Sequence, residues 1–261
     1  MSCKIISIVN QKGGVGKTTT ACNLATALAA VGKKVLLVDN DPQGNTTSGF
    51  GINKEKIKTI YDVMVGAVTI SKVLVESCIP GLLIAPADIN LAAVEVELVG
   101  QSNFRTILKK SIESVKRNFD YIIIDCPPAL GLLTVNALAA SSSILIPLQC
   151  EFFALEGLKH LMGTIKLVKE NLNGDLKING VLLTMYDCRN NLTRLIEKDV
   201  RNCLGSVVYE TVIPRNIRLS EAGSHGKPIL MYDKNCSGAV AYISMTKEFL
   251  QKEQVNQEVL Q

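Results

Sequence analysis

The chain has 261 residues, 47% of them hydrophobic and only 5% aromatic with no tryptophan, a balance that suits a sheet flanked by helices better than a β sandwich. A net charge of +4 is compatible with nucleic acid but does not argue for it. The apolar N-terminal run is too short for a signal peptide, no stretch of about twenty apolar residues appears, and the eight cysteines never form C-x-x-C, so secretion, membrane spanning and disulfide stapling are not expected.

Short β-branched runs alternate with helical stretches along the chain. KIISIV (4–9), KVLLVD (34–39), LLIAPA (82–87), YIIIDC (121–126), SILIPL (143–148), INGVLLTMY (178–186) and VYETVI (208–213) are predicted strands. Their near-continuous apolar character implies a parallel sheet covered on both faces. TTTACNLATALAAV (18–31), NFRTILKKSIESVKRN (103–118) and LEGLKHLMGTIKLVKENL (155–172) carry helical periodicity. No linker, charge block or internal repeat divides the chain. The expected fold is a single α/β domain over residues 1–261, with a doubly wound, mostly parallel sheet flanked by helices, of the phosphate-loop type.

NQKGGVGKTT (10–19) follows the first strand and opens a helix, the context a phosphate loop requires. Gly13, Gly14 and Gly16 let the backbone turn its N–H groups onto phosphate oxygens, and the helix dipole adds to them. Lys17 would neutralise the β- and γ-phosphates, and the Thr18 hydroxyl would ligate Mg²⁺. Gln11 occupies the position of the opening glycine, and an extra lysine, Lys12, follows it. The alternative is a plain glycine turn with solvated lysines. Strand ends add Asp39 and Asp41 in VDNDPQGN, and Asp125 in IIIDCPP. Such ends face the ligand crevice of an open α/β sheet, where carboxylates hold Mg²⁺ through water or orient an attacking water.

KGGVGKTT, VDNDPQGN and IIIDCPP together resemble the deviant Walker A ATPases of the ParA/MinD superfamily. EFFALEGL, GVLLTMYDCRNNL and VIPRNIRLSEAGSHGKP resemble, within it, the Soj-like chromosomal ParA proteins, with matching segments from residue 4 to about 250. The resemblance implies an ATPase that uses ATP and Mg²⁺. The nucleotide would lie on Lys12, Gly13, Gly14, Val15, Gly16, Lys17, Thr18 and Thr19, with Pro214 and Asn216 against adenine and ribose. Lys12 would reach across an ATP-bound homodimer to the partner's phosphates, as an arginine finger does. Asp41 would position the hydrolytic water, while Asp39 and Asp125 would support the metal with Thr18.

What the ATP controls is not written in the loop. The resemblance implies a cytoplasmic, nucleoid-associated partitioning protein whose dimer binds double-stranded DNA without sequence preference through Arg189 and Arg218, and whose hydrolysis a ParB-like partner stimulates. Composition alone favours a solvated surface for these arginines. A MinD-like membrane ATPase would need a basic, bulky apolar terminal helix, and the tail TKEFLQKEQVNQEVLQ is Gln/Glu-rich. A NifH-like reductase would need paired cluster cysteines; Cys126, beside Asp125, fits packing better. Gly223, Asn190 and the YDKNCSGAVAY segment depart from the Soj-like pattern near the expected DNA face. His160 and His225 are isolated. With the loop starting so early, no N-terminal helix-turn-helix domain is expected.

Overall fold

The structure is a computed structural model that describes residues 3–55, 57–98, 100 and 103–258. In chain order the elements are β1 (Lys4–Ile8), α1 (Lys17–Ala30), β2 (Val35–Asp39), α2 (Asn45–Gly49), α3 (Ile60–Met64), β3 (Val75–Glu76), β4 (Leu82–Ala85), α4 (Val94–Glu97), α5 (Ile107–Glu113), β5 (Tyr121–Asp125) and α6 (Leu132–Ala140). There follow β6 (Ser143–Gln149), α7 (Ala154–Asn171), β7 (Lys177–Thr184), α8 (Asn191–Leu204), α9 (Ile217–Ser224), α10 (Ile229–Tyr232) and α11 (Ser237–Glu258).

The strands form one sheet in the order β3-β4-β2-β5-β1-β6-β7, parallel throughout except for the β3–β4 edge pair. Alternation along each strand divides the core between two faces. Ile6, Ile8, Leu37, Ile123 and Leu145 pack with Leu24 and Leu28 of α1 and with Tyr242 and Phe249 of α11. Leu36, Val38, Ile122, Ile124 and Ile146 pack instead with residues of α5, α6 and α7. Burying each such side chain stabilises the fold by about 1.5–3 kcal/mol. The chain leaves β1 towards β2 on one side and later places β6 on the other, so the crevice opens at the carboxyl end of β1.

Two expectations are corrected. Residues 208–213 are not a strand; they run beside β7 through isolated bridges, Val181 to Val208 and Tyr186 to Pro214. Tyr209 turns its ring under Gly180, and the Glu248 carboxylate accepts the Glu210 and Thr211 N–H groups at 2.8 and 2.9 Å, which interrupts the ladder. The helix expected over 103–118 shortens to α5 plus a single 3₁₀ turn, Lys116–Asn118. Asn136 of α6 captures the Phe104 carbonyl (2.8 Å) and the Leu108 N–H (3.3 Å), which delays its start. The Ser114 hydroxyl, bonded to the Ser111 carbonyl at 2.7 Å, competes at its end. The two-residue β3 carries too little pattern to be seen in sequence.

The Gln/Glu-rich tail belongs to α11 as far as Glu258, and Phe249 within it is fully buried, its ring centroid 5.7 Å from that of Tyr121. Residues 259–261 lie outside the described residues. Among the described residues no helix is long and apolar enough to cross a membrane.

Candidate functional site

The loop from Asn10 to Gly16 bridges β1 and α1. Gly14 (φ +74°) and Gly16 (φ +85°) occupy left-handed conformations that side chains resist. Buried Val15 anchors the loop, and its carbonyl accepts the Thr184 hydroxyl at 2.8 Å. Asn10, a residue that sequence reasoning passed over, clamps the entry. Its amide donates to the Pro147 carbonyl at 2.7 Å, and its side-chain oxygen accepts the Lys12 N–H at 2.9 Å.

The two lysines of the loop have opposite environments. Lys17 is 6% exposed, and its ammonium donates to the Lys12 carbonyl at 3.0 Å. Burial holds its pKa below the ordinary value, against the opposing charges of Asp125 and Asp41. Lys12 is half-exposed and turns outward to an ion pair with Glu151, just past β6.

The carboxylates converge beside the loop. Asp39 and Asp125 are register partners on β2 and β5, and both are fully buried. The Asp39 carboxylate accepts the Thr47 N–H and hydroxyl at 2.8 and 2.6 Å; Asp125 accepts the Thr46 hydroxyl at 2.8 Å. Thr46 and Thr47 were also missed in sequence. Gly44 (φ +62°) turns the chain there, so that α2 starts with their donors on the acids. Burial pushes Asp39 up to about 6. Burial, and then the neighbouring Asp39 charge, push Asp125 up to about 7. Asp41, 6% exposed, accepts the Gln43 N–H at 2.9 Å.

One oxygen of Asp125, Oδ1, is buried and no hydrogen bond of normal geometry reaches it, although the Thr18 hydroxyl of the loop stands near enough to the carboxyl to lower its pKa. An orphaned carboxylate oxygen next to the loop fits a cation or its bound water. Among the described residues no three His, Cys, Asp or Glu side chains group as a metal cage. The arrangement therefore fits magnesium, an ion that keeps waters and takes phosphate oxygens, better than an ion needing a full protein shell. Cys126 is buried, and its thiol is pushed up by burial, as packing residues are.

A cavity of about 360 Å³ adjoins the loop, lined by Gly16, Thr19, Thr184, Met185, Arg215 and Asn216 among others. Met185 (φ +49°) is the one non-glycine left-handed residue among the described residues. Asn216 caps α9, accepting the Arg218 N–H at 2.8 Å and donating to the Ser237 hydroxyl at 2.8 Å. Pro214 sits beside this cavity in the bridge to Tyr186 and is not among its lining residues. Arg189 and Arg218 lie on the surface, each already paired. Arg189 grips Asp187 with two bonds of 3.0 Å, and Arg218 meets Glu221 at 2.9 Å and Asp233 at 3.8 Å. Gly223 has open space where a side chain would begin.

Strand, glycine loop, helix and strand-end carboxylates define a phosphate-loop nucleoside triphosphatase. A family model described as an AAA domain matches residues 3–178. The sporulation initiation inhibitor protein Soj of Bacillus subtilis (strain 168) is 54% identical over 246 residues, 94% of this chain and 97% of its own. The chromosome partitioning protein ParA of Caulobacter vibrioides (strain NA1000 / CB15N) is 50% identical over 258 residues, 97% and 96% of the two chains. Among solved structures, cobyrinic acid a,c-diamide synthase from Mycobacterium smegmatis, with bound ADP and magnesium, superposes with a TM-score of 0.85 at 35% identity, covering 97% of this chain and 96% of that one. The chain belongs to the ParA/MinD family of deviant Walker A ATPases, close to the Soj/ParA chromosome-partitioning proteins.

Proposed function

We propose that this chain partitions DNA in the cytoplasm through an ATP-controlled cycle of dimerisation. ATP and Mg²⁺ occupy the loop. Lys17 exchanges the Lys12 carbonyl for the β- and γ-phosphates, backbone N–H groups from Gly13 to Thr19 cradle the phosphate oxygens, and the base enters the cavity beside Asn216 and Pro214. Thr18, Asp39 and Asp125 would hold the metal, which would supply neutralisation of phosphate charge. Asp41 orients the attacking water.

The observation that carries this reading is the division of labour between the lysines. One is buried in the glycine turn with its ammonium on the Lys12 carbonyl, and the other is half-exposed in an ion pair with Glu151. A cation at the rim serves a second chain better than its own. Lys12 therefore crosses a two-fold dimer to the partner's phosphates, which makes dimerisation depend on ATP. The dimer binds double-stranded DNA of any sequence through Arg189 and Arg218, each present twice. A ParB-like protein stimulates hydrolysis and returns the chain to monomers.

Sedimentation with a non-hydrolysable ATP analogue tests this. Lys17→Ala is expected to lose nucleotide affinity itself, because it removes the charge on the phosphates. Lys12→Ala is expected to bind nucleotide as a monomer and fail to dimerise. Normal dimers of Lys12→Ala would refute the trans-acting role.

A further inference from the structure

A second concavity lies at the end of the sheet opposite the phosphate loop. Ile5 stands there near the start of β1, Ser141 and Ser142 lead into β6, and the Lys116–Asn118 turn leads into β5. The cavity between them has a volume of about 500 Å³, within the range that holds a small-molecule ligand. Three cations line it, Lys109, Lys116 and Arg117, against a single carboxylate, Asp175. Lys116 pairs with Glu113 at 2.6 Å, whereas neither Lys109 nor Arg117 has an ion pair or side-chain hydrogen bond among the described residues. Asp175 also lines a neighbouring cavity with Lys4 and Lys177, whose charges oppose its own. The polar groups of the floor are already satisfied. The Ser142 hydroxyl accepts the Ile5 N–H at 3.0 Å and donates to the Ile5 carbonyl at 2.9 Å, and the Asn173 amide donates to the Leu138 and Ser141 carbonyls at 2.9 and 2.7 Å.

We propose that this cavity binds a small organic phosphate ester, separately from the nucleotide at the phosphate loop. The largest free hydrogen-bonding capacity around it is the N–H donors of two unpaired cations, and donors of that kind select an anion. A guanidinium presents its donors as a planar fork that matches two phosphate oxygens, and a lysine adds a point charge beside it. Ile5, Phe119 and Ala140 supply an apolar wall for the carbon part of the ester. A bare inorganic ion has nothing to place on that wall, so burial of apolar surface separates the ester from free phosphate.

Cys3 lines the same cavity and is half-buried, while Cys78 is exposed elsewhere on the chain. Their alkylation by iodoacetamide, followed by peptide mass spectrometry, reads occupancy of the cavity against an internal reference. With the phosphate loop filled by Mg²⁺ and ADP and the ionic strength held constant, phenyl phosphate is expected to slow Cys3 labelling saturably and to leave Cys78 unaffected. Inorganic phosphate, and double-stranded DNA of equal phosphate content, should protect Cys3 less. In a Lys109→Gln/Arg117→Gln chain the half-protecting concentration should rise about tenfold or more. Buried Cys22 should stay unreactive in that chain, which reports an intact fold. The proposal is overturned if Cys3 labelling in the wild type ignores phenyl phosphate, or if the double variant is protected as well as the wild type. Equal protection by inorganic phosphate or by DNA overturns it too, since the apolar wall would then take no part.

Discussion

At the scale of residues, Asp39 and Asp125 are register partners on β2 and β5, and both are fully buried. Both carboxyls hold their protons more tightly in the fold than the ordinary 3.8, Asp39 to about 6 and Asp125 to about 7. Their contribution to stability is therefore full below the unfolded value and is lost as pH rises through about 6 and about 7. Urea titrations of the nucleotide-free, magnesium-free chain at about pH 5 and about pH 8 should show this loss. Asp125→Asn should shrink it, and an undiminished loss in that variant would contradict the assignment. Asp41 carries a separate expectation. If it orients the attacking water, Asp41→Ala should lower turnover by about a hundredfold or more and leave ATP binding intact. A single-turnover assay beside a binding isotherm checks both. These acids and the loop lysines were legible in sequence because their position at a strand end or glycine turn already implies a crevice. Asn10, Thr46 and Thr47 were not, because their work is contact with residues distant in the chain.

The elements explain the rest of what sequence could and could not tell. Buried parallel strands such as YIIID are recognisable because both faces must be apolar. Residues 208–213 carry the same composition, yet while Tyr209 and Ile213 donate to β7, the Glu210 and Thr211 N–H groups between them go to a side chain, Glu248, which no local pattern records. A signal was nonetheless present, for a glycine inside a strand marks close approach of another group. At Gly180 a Cβ would lie 2.3 Å from the ring of Tyr209, which is fully buried and cannot step aside. Gly180→Ala should therefore cost about 1–3 kcal/mol through overpacking. Urea unfolding would register it as a lower midpoint at unchanged slope. An unchanged midpoint would mean that the Tyr209 segment is looser than its packing against β7 implies. The shortened helix before β5 has the same kind of cause, since Asn136, on another helix, decides where it begins.

For the whole molecule, the proposed cycle requires a chain of modest net charge to hold DNA only when ATP is bound. Arg189 and Arg218 are paired with acids of their own chain, so a monomer offers DNA little unbalanced charge there. Exposed pairs of this kind are weak and screened by salt, so in the proposed dimer, where the contacts double, phosphate outcompetes them. Glu221→Gln should therefore tighten retention on DNA by a few-fold, and Arg218→Glu should abolish it while dimers still form; filter retention beside sedimentation distinguishes the two effects. The most direct measurement is retention of the wild-type chain on DNA of unrelated sequences with ATP, with ADP and with no nucleotide, across a salt series. Retention with ATP alone, equal among sequences, is expected. The logarithm of affinity should fall with the logarithm of salt by about 0.9 per phosphate neutralised. Retention indifferent to nucleotide, or confined to one sequence, would contradict an ATP-gated dimer as the DNA-binding form.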